Sequence, residues 1–197
     1  EDLKEDSEDE TSEEEEQEEE KVEKSTKESA IESLPYTIQL PDEYEKFLQL
    51  LTNQTIKTQL TIIDRIIKTN HPKLHYSNRQ KMIKLFAYLL QYVNDLFANN
   101  DENNISKHFK LLSQLTPHLF DLIQMNSEDC SKSFLEVIKE KHEEFAKSRK
   151  TYPKLDTLIF FRLIGVLFPT SDFRHPVVTP TFVFLHHILS QAKVKSR

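Results

Sequence analysis

Met82-Ile-Lys-Leu-Phe-Ala-Tyr-Leu-Leu-Gln-Tyr-Val-Asn-Asp-Leu-Phe97 repeats apolar side chains at intervals of three and four. Met82, Leu85, Phe86, Leu89, Val93 and Leu96 make one stripe, the signature of one face of an α-helix. Ile83, Leu90 and Phe97 add a second. A helix apolar over so much of its circumference is expected to be touched on two sides, as in stacked helical pairs. Ser77 or Asn78 can cap its start. The spacer Asn99-Asn-Asp-Glu-Asn-Asn104 follows its end.

The same periodicity extends upstream. Leu34-Pro-Tyr-Thr-Ile-Gln-Leu-Pro41 reads as an extended lead-in strand, because each proline turns its predecessor away from helical angles and supplies no donor. Pro41 suits a first helical position and Asp42 and Glu43 the positive end of a helix dipole, with Tyr44, Phe47, Leu48 and Leu51 on the apolar face. A second helix is expected from about Thr55, carrying Ile56, Leu60, Ile63 and Ile67, and stopping near Asn70-His71-Pro72.

Downstream, a fourth helix should run through Met125 with a bend near Pro117. Ser127 should start a fifth, with Phe134, Val137, Ile138, Lys141 and Phe145 on one side. Pro153 opens a sixth, whose run Leu158-Ile-Phe-Phe-Arg-Leu-Ile-Gly-Val-Leu-Phe168 is apolar nearly all round and so should be central. Pro169 ends it, and Pro180 starts a seventh through about Ala192. Short connections and no convincing strand alternation predict an all-α fold, a HEAT-like stack of about seven antiparallel helices, although no exact repeat is visible.

Composition divides the chain of 197 residues in two. Residues 1–30 hold sixteen Asp/Glu, four Lys and only Leu3, Val22 and Ala30 as apolar side chains. That segment reads as a disordered acidic arm, since nothing in it offsets the entropy of ordering the backbone. Removing its −12 from the whole-chain −7 leaves +5 on residues 31–197. Those residues suffice to bury roughly 70% of their unfolded surface as one helical scaffold domain. No stretch reaches the ~20 apolar residues of a membrane span. The absence of an initiator Met suggests a piece of a longer protein.

The sequence argues against several chemistries. Gly165 is the only glycine, so Rossmann turns, P-loops, kinase glycine loops and nucleophile elbows have no basis. It is expected to let a neighbouring helix approach the sixth helix closely. Cys130 is the only cysteine, which removes disulfides and Cys-x-x-Cys chemistry and fits a reducing compartment. It reads as structural, beside acids that would not favour a thiolate. His71 and His75 have i, i+4 spacing but sit in a Pro-containing loop without a third ligand. His186 and His187 diverge by about 100° on a helix, one toward the core and one toward water. His118 and His142 read as ordinary core or surface imidazoles. Glu143 and Glu144, interleaved with Lys139, Lys141 and Lys147, read as a solvated helix face. No catalytic, cofactor or metal residue is predicted.

Binding candidates remain. Arg149, Lys150 and Lys154, with Lys147, gather around one helix junction and could touch phosphates. In Phe168-Pro-Thr-Ser-Asp-Phe-Arg-His-Pro-Val-Val-Thr-Pro180, Ser171 or Asp172 could cap, Phe173 pack and Arg174 meet a carboxylate. Alternatively, the loop residues Asp172, Phe173, Arg174 and His175 contact RNA or a partner. Ser7, Thr11 and Ser12 precede acids, as acidophilic kinase sites do. The arm itself is either a self-repelling spacer or a competitor for basic proteins.

That loop strongly resembles the nucleolar protein 14 family. The resemblance extends to Leu34-Pro-Tyr-Thr, His71-Pro-Lys-Leu74, Lys84-Leu-Phe, Leu90-Gln-Tyr-Val-Asn-Asp-Leu96, Thr116-Pro-His-Leu119 and Leu155-Asp-Thr-Leu-Ile159, in order over about residues 31–192. Tyr88, where a glycine or small residue is expected, and the Asn99–Asn104 spacer depart from it. The resemblance implies the central portion of a noncatalytic component of the small-subunit processome, active in 18S ribosomal RNA maturation and small ribosomal subunit biogenesis in the nucleolus. It implies as partners nucleolar complex protein 4, the pseudouridine methyltransferase of the pathway, and pre-ribosomal or small nucleolar RNA, directly or indirectly. The other reading of the residues is a general HEAT-like adaptor whose acidic arm engages basic cargo.

Overall fold

The computed structural model describes residues 34–98, 104–147, 152–171 and 174–191. Among them are seven helices and no strand: α1 (Tyr44–Leu51), α2 (Ile56–Thr69), α3 (Asn78–Ala98), α4 (Ile105–Met125), α5 (Ser127–Lys147), α6 (Leu155–Leu167) and α7 (Val178–Gln191). The expected acidic arm, residues 1–30, lies outside the described residues.

Local chemistry accounts for the boundaries. Thr55 caps α2, its hydroxyl oxygen accepting the Thr58 amide at 3.3 Å, so one of the four orphan donors of the first turn is satisfied. The prolines expected at first helical positions are shifted. Pro41 precedes α1, whose N-cap is Glu43. Pro153 precedes α6, whose N-cap is Lys154. Pro180 lies inside the first turn of α7. All three stay where no intrahelical acceptor awaits their missing N–H. Pro117 does not break α4.

The lead-in segment, expected to be an extended strand, is neither helix nor strand and bends at Leu34, Tyr36 and Thr37. Side chains of the body hold it instead. An Arg65 guanidinium nitrogen donates to the carbonyls of Leu34 at 2.8 Å and Pro35 at 3.0 Å, and the same guanidinium lies 5.7 Å from the Tyr36 ring centroid. The Asn70 amide, buried at the end of α2, donates to the Ile38 carbonyl at 3.3 Å.

The central element is α3. It packs against α1, α4, α5 and α6, and it buries Met82, Leu85, Phe86, Leu89, Leu90, Val93 and Phe97, as its double stripe predicts. Its flank α5 sends Phe134 into an aromatic cluster, with ring centroids 5.6 Å from Phe86, 6.4 Å from Phe160 and 5.2 Å from Phe168. These separations suit tilted and edge-to-face packing. Thus one phenylalanine ties α5 to α3 and α6.

The expectation that α6 would be central fails. Its Ile159, Phe160, Leu163, Ile164 and Leu167 are buried, while Leu158, Arg162, Gly165 and Val166 are exposed. Apolar composition says how much of a helix can be covered, whereas the neighbours it finds decide how much is covered. The packing role expected of Gly165 fails too. A Cβ built there would meet nothing within 4 Å.

Candidate interaction surface

The loop between α6 and α7 carries four of the sequence candidates, of which Asp172 and Phe173 lie outside the described residues. Arg174 is exposed and adopts a left-handed backbone, φ 66°. His175 has an intramolecular role. Its Nδ1 accepts the amides of Val177 and Val178, both at 3.2 Å, which satisfies donors at the start of α7 and leaves the ring proton on Nε2. The imidazole also packs 5.1 Å from the Phe168 ring at the end of α6. A histidine thereby supplies capping bonds for which Ser171 or Asp172 was the expected source. The signal legible in sequence was its place three residues before the helix.

At the junction of α5 and α6, Arg149 and Lys150 lie outside the described residues, but Lys147 and Lys154 are exposed. They line a hollow of about 400 Å³ together with Tyr152, Pro153, Phe145 and Glu144. Two ammonium groups and a half-exposed phenol ring give it chemistry for an anionic, planar group.

Beneath this hollow lies a feature that the charge pattern concealed. Lys141, read as part of a solvated face, has a side chain only 5% exposed, and its Nζ lies 2.8 Å from Asp156 Oδ2, whose side chain is 3% exposed. Asp156 Oδ1 accepts the Thr157 amide at 2.6 Å and the Thr157 hydroxyl at 3.3 Å. Glu144 stands 3.8 Å from the same ammonium. A charge pair so nearly dry needs these extra bonds to offset its desolvation. The sequence signal was present, because Lys141 falls on the apolar stripe Phe134, Ile138, Lys141, Phe145.

The histidines divide as their settings dictate. His71 Nδ1 accepts the Lys73 amide and His75 Nδ1 the Ser77 amide, each closing a turn. His186 is exposed and His187 half-buried. His187 Nδ1 lies 3.0 Å from His142 Nε2, the rings are stacked, and His142 sits edge-on to Phe184. One ring must donate and the other accept, so the contact clasps α7 to α5. Among the described residues no group of three or more potential ligands could hold a metal ion. Cys130 is buried, with its thiol pushed up to about 12 by burial and then by Asp129. It donates to the Leu122 carbonyl at 3.6 Å. Among the described residues no helix is long and apolar enough to cross a membrane.

Among the described residues the chain is all-helical, and its candidate contact residues Lys147, Lys154 and Arg174 lie exposed on its surface. The chain belongs to the Nop14-like family, which it matches over residues 1–197. It is 52% identical over 165 residues to the nucleolar protein 14 homolog of Drosophila melanogaster, covering 84% of the chain and 19% of that relative. It is 39% identical over 170 residues to nucleolar protein 14 of Homo sapiens, with coverage of 84% and 19%. With nucleolar complex protein 14 of Saccharomyces cerevisiae it shares 28% identity over 160 residues, covering 81% and 20%. The chain therefore spans about a fifth of the length of these relatives. Their names set its compartment as the nucleolus of the nucleus.

Proposed function

We propose that the chain is the helical scaffold of a noncatalytic assembly factor of the small-subunit processome, acting in 18S ribosomal RNA maturation and small ribosomal subunit biogenesis. The observation that carries this reading is the family match over the whole chain, with a 52% identical relative bearing the nucleolar protein 14 name. Helices that neighbour the next but one in sequence, such as α3 with α5, α4 with α6 and α5 with α7, support a HEAT-like stack.

In this reading residues 1–30 form an acidic arm on a helical domain of residues 31–197, and Ser7, Thr11 and Ser12 are phosphorylated to add charge to it. Arg149, Lys150 and Lys154 meet RNA phosphates beside Lys147. The loop Asp172, Phe173, Arg174 and His175 meets RNA or protein, with His175 holding the loop's shape. Nucleolar complex protein 4 and the pathway's pseudouridine methyltransferase are the proposed protein partners.

Affinity capture from nuclear extract, with and without nuclease, tests the reading. The untreated sample should contain pre-ribosomal RNA and both proteins. Their absence would turn the choice toward a general adaptor for basic cargo. Lys154→Glu should flatten the salt dependence of RNA capture by about one unit of slope. Arg174→Glu should weaken assembly while the helical signal persists, and equal loss of both would make Arg174 structural.

A further inference from the structure

Gly165 sits in the last turn of α6, which runs Leu155–Leu167, without an internal reason. Glycine in a helix costs up to about 1 kcal/mol relative to alanine. It is repaid neither by a positive φ, since no glycine has one, nor by close packing, since a Cβ would meet nothing within 4 Å. What surrounds it is uncovered and apolar. Leu158 is 48% exposed and Val166 57% exposed, with Arg162 exposed between them. At about 100° per residue, Leu158, Arg162, Gly165 and Val166 fall within an arc of roughly 100°.

Alongside this face, α4 presents Phe109, 40% exposed. Phe109, Ser113 and Thr116 of α4 and Arg162, Leu163 and Val166 of α6 line a groove of about 190 Å³ between the two helices. Arg162 is the one charged residue lining it. It forms no ion pair among the described residues.

We infer that the α4–α6 face is a docking surface for an amphipathic helix of a partner protein, which seats apolar residues on Phe109, Leu158 and Val166 and pairs a carboxylate with Arg162. Gly165 is the point of closest approach, where the missing side chain lets the two helix axes come nearer than their usual 8–10 Å. A helix suits the groove because ridges of side chains fill the furrow between two others. Strand addition has no sheet edge to extend among the described residues. A phosphate backbone would find a single cation set among apolar side chains. An acidic residue on the incoming helix completes the charge complementarity.

The test places the photo-crosslinking residue p-benzoylphenylalanine at position 158 of the full-length protein in cells and sequences the crosslinked peptides. The expected product is a peptide with apolar residues three and four apart and an Asp or Glu among them. Arg162→Glu should lower its yield about tenfold, and exchanging the peptide's carboxylate for lysine should restore it. Gly165→Leu should lower the yield as much, with the isolated chain still folded because the space is open. Gly165→Ala should raise the melting temperature of the isolated chain by roughly 2–4 °C. Crosslinks to RNA, to peptides lacking that pattern, or to nothing overturn the inference. So does a yield indifferent to Arg162→Glu.

Discussion

Lys141 and Asp156 show how much a single contact decides. Replacing Lys141 by methionine leaves a nearly dry carboxylate without its cation, and unfolding in urea should show a loss of about 3–5 kcal/mol. Replacing both, as Lys141→Met with Asp156→Leu, should recover most of that loss, because two apolar groups incur no charge desolvation. Cys130 gives a pH dependence of definite sign. Its folded thiol titrates at about 12, above the ordinary value of 9.0. Below pH 9 both states hold the proton. Between pH 9 and 12 the unfolded chain loses it first, so this group's contribution to stability falls as pH rises through that window. In the folded chain at pH 8, iodoacetamide should leave Cys130 unmodified; urea should expose it to alkylation. Lys141 was legible as a stripe position, but its partner was not, because Asp156 stands in the first turn of another helix, α6, and only the packing of α5 against α6 brings the two together.

At the scale of elements, the helices were legible nearly to their ends. Periods of three and four residues measure the cost of exposing an apolar face, and that cost is local to each helix. The contacts among helices were less so. Phe134 is one phenylalanine among several in the sequence, yet its ring joins α5 to both α3 and α6. Phe134→Ala should therefore lower stability by about 3–5 kcal/mol in urea titration, the range for aromatic truncation in a core. The central place expected of α6 belongs to α3 for a related reason. The α6 sequence is more apolar than that of α3, but α3 is longer and meets neighbours on more sides. The surplus apolar surface of α6, at Leu158 and Val166, remains on the outside.

For the whole molecule, the sharp divide in charge belongs to the sequence. Deleting residues 1–30 should change the net charge from −7 to +5, so the shortened chain should bind a cation exchanger at pH 7. Its unfolding midpoint should move by less than about 2 °C, as expected for loss of a segment whose only apolar side chains are Leu3, Val22 and Ala30. The sequence by itself determined the helical class and the order of the seven helices, because both follow from spacings that act over a few residues, and its motifs carried the resemblance to the family. The tertiary structure alone decided that Asp156 is the partner of Lys141, that Phe134 joins α5 to α3 and α6, and that Gly165 faces open space. Those outcomes depend on which surfaces remain uncovered once the helices pack, and no local period records that.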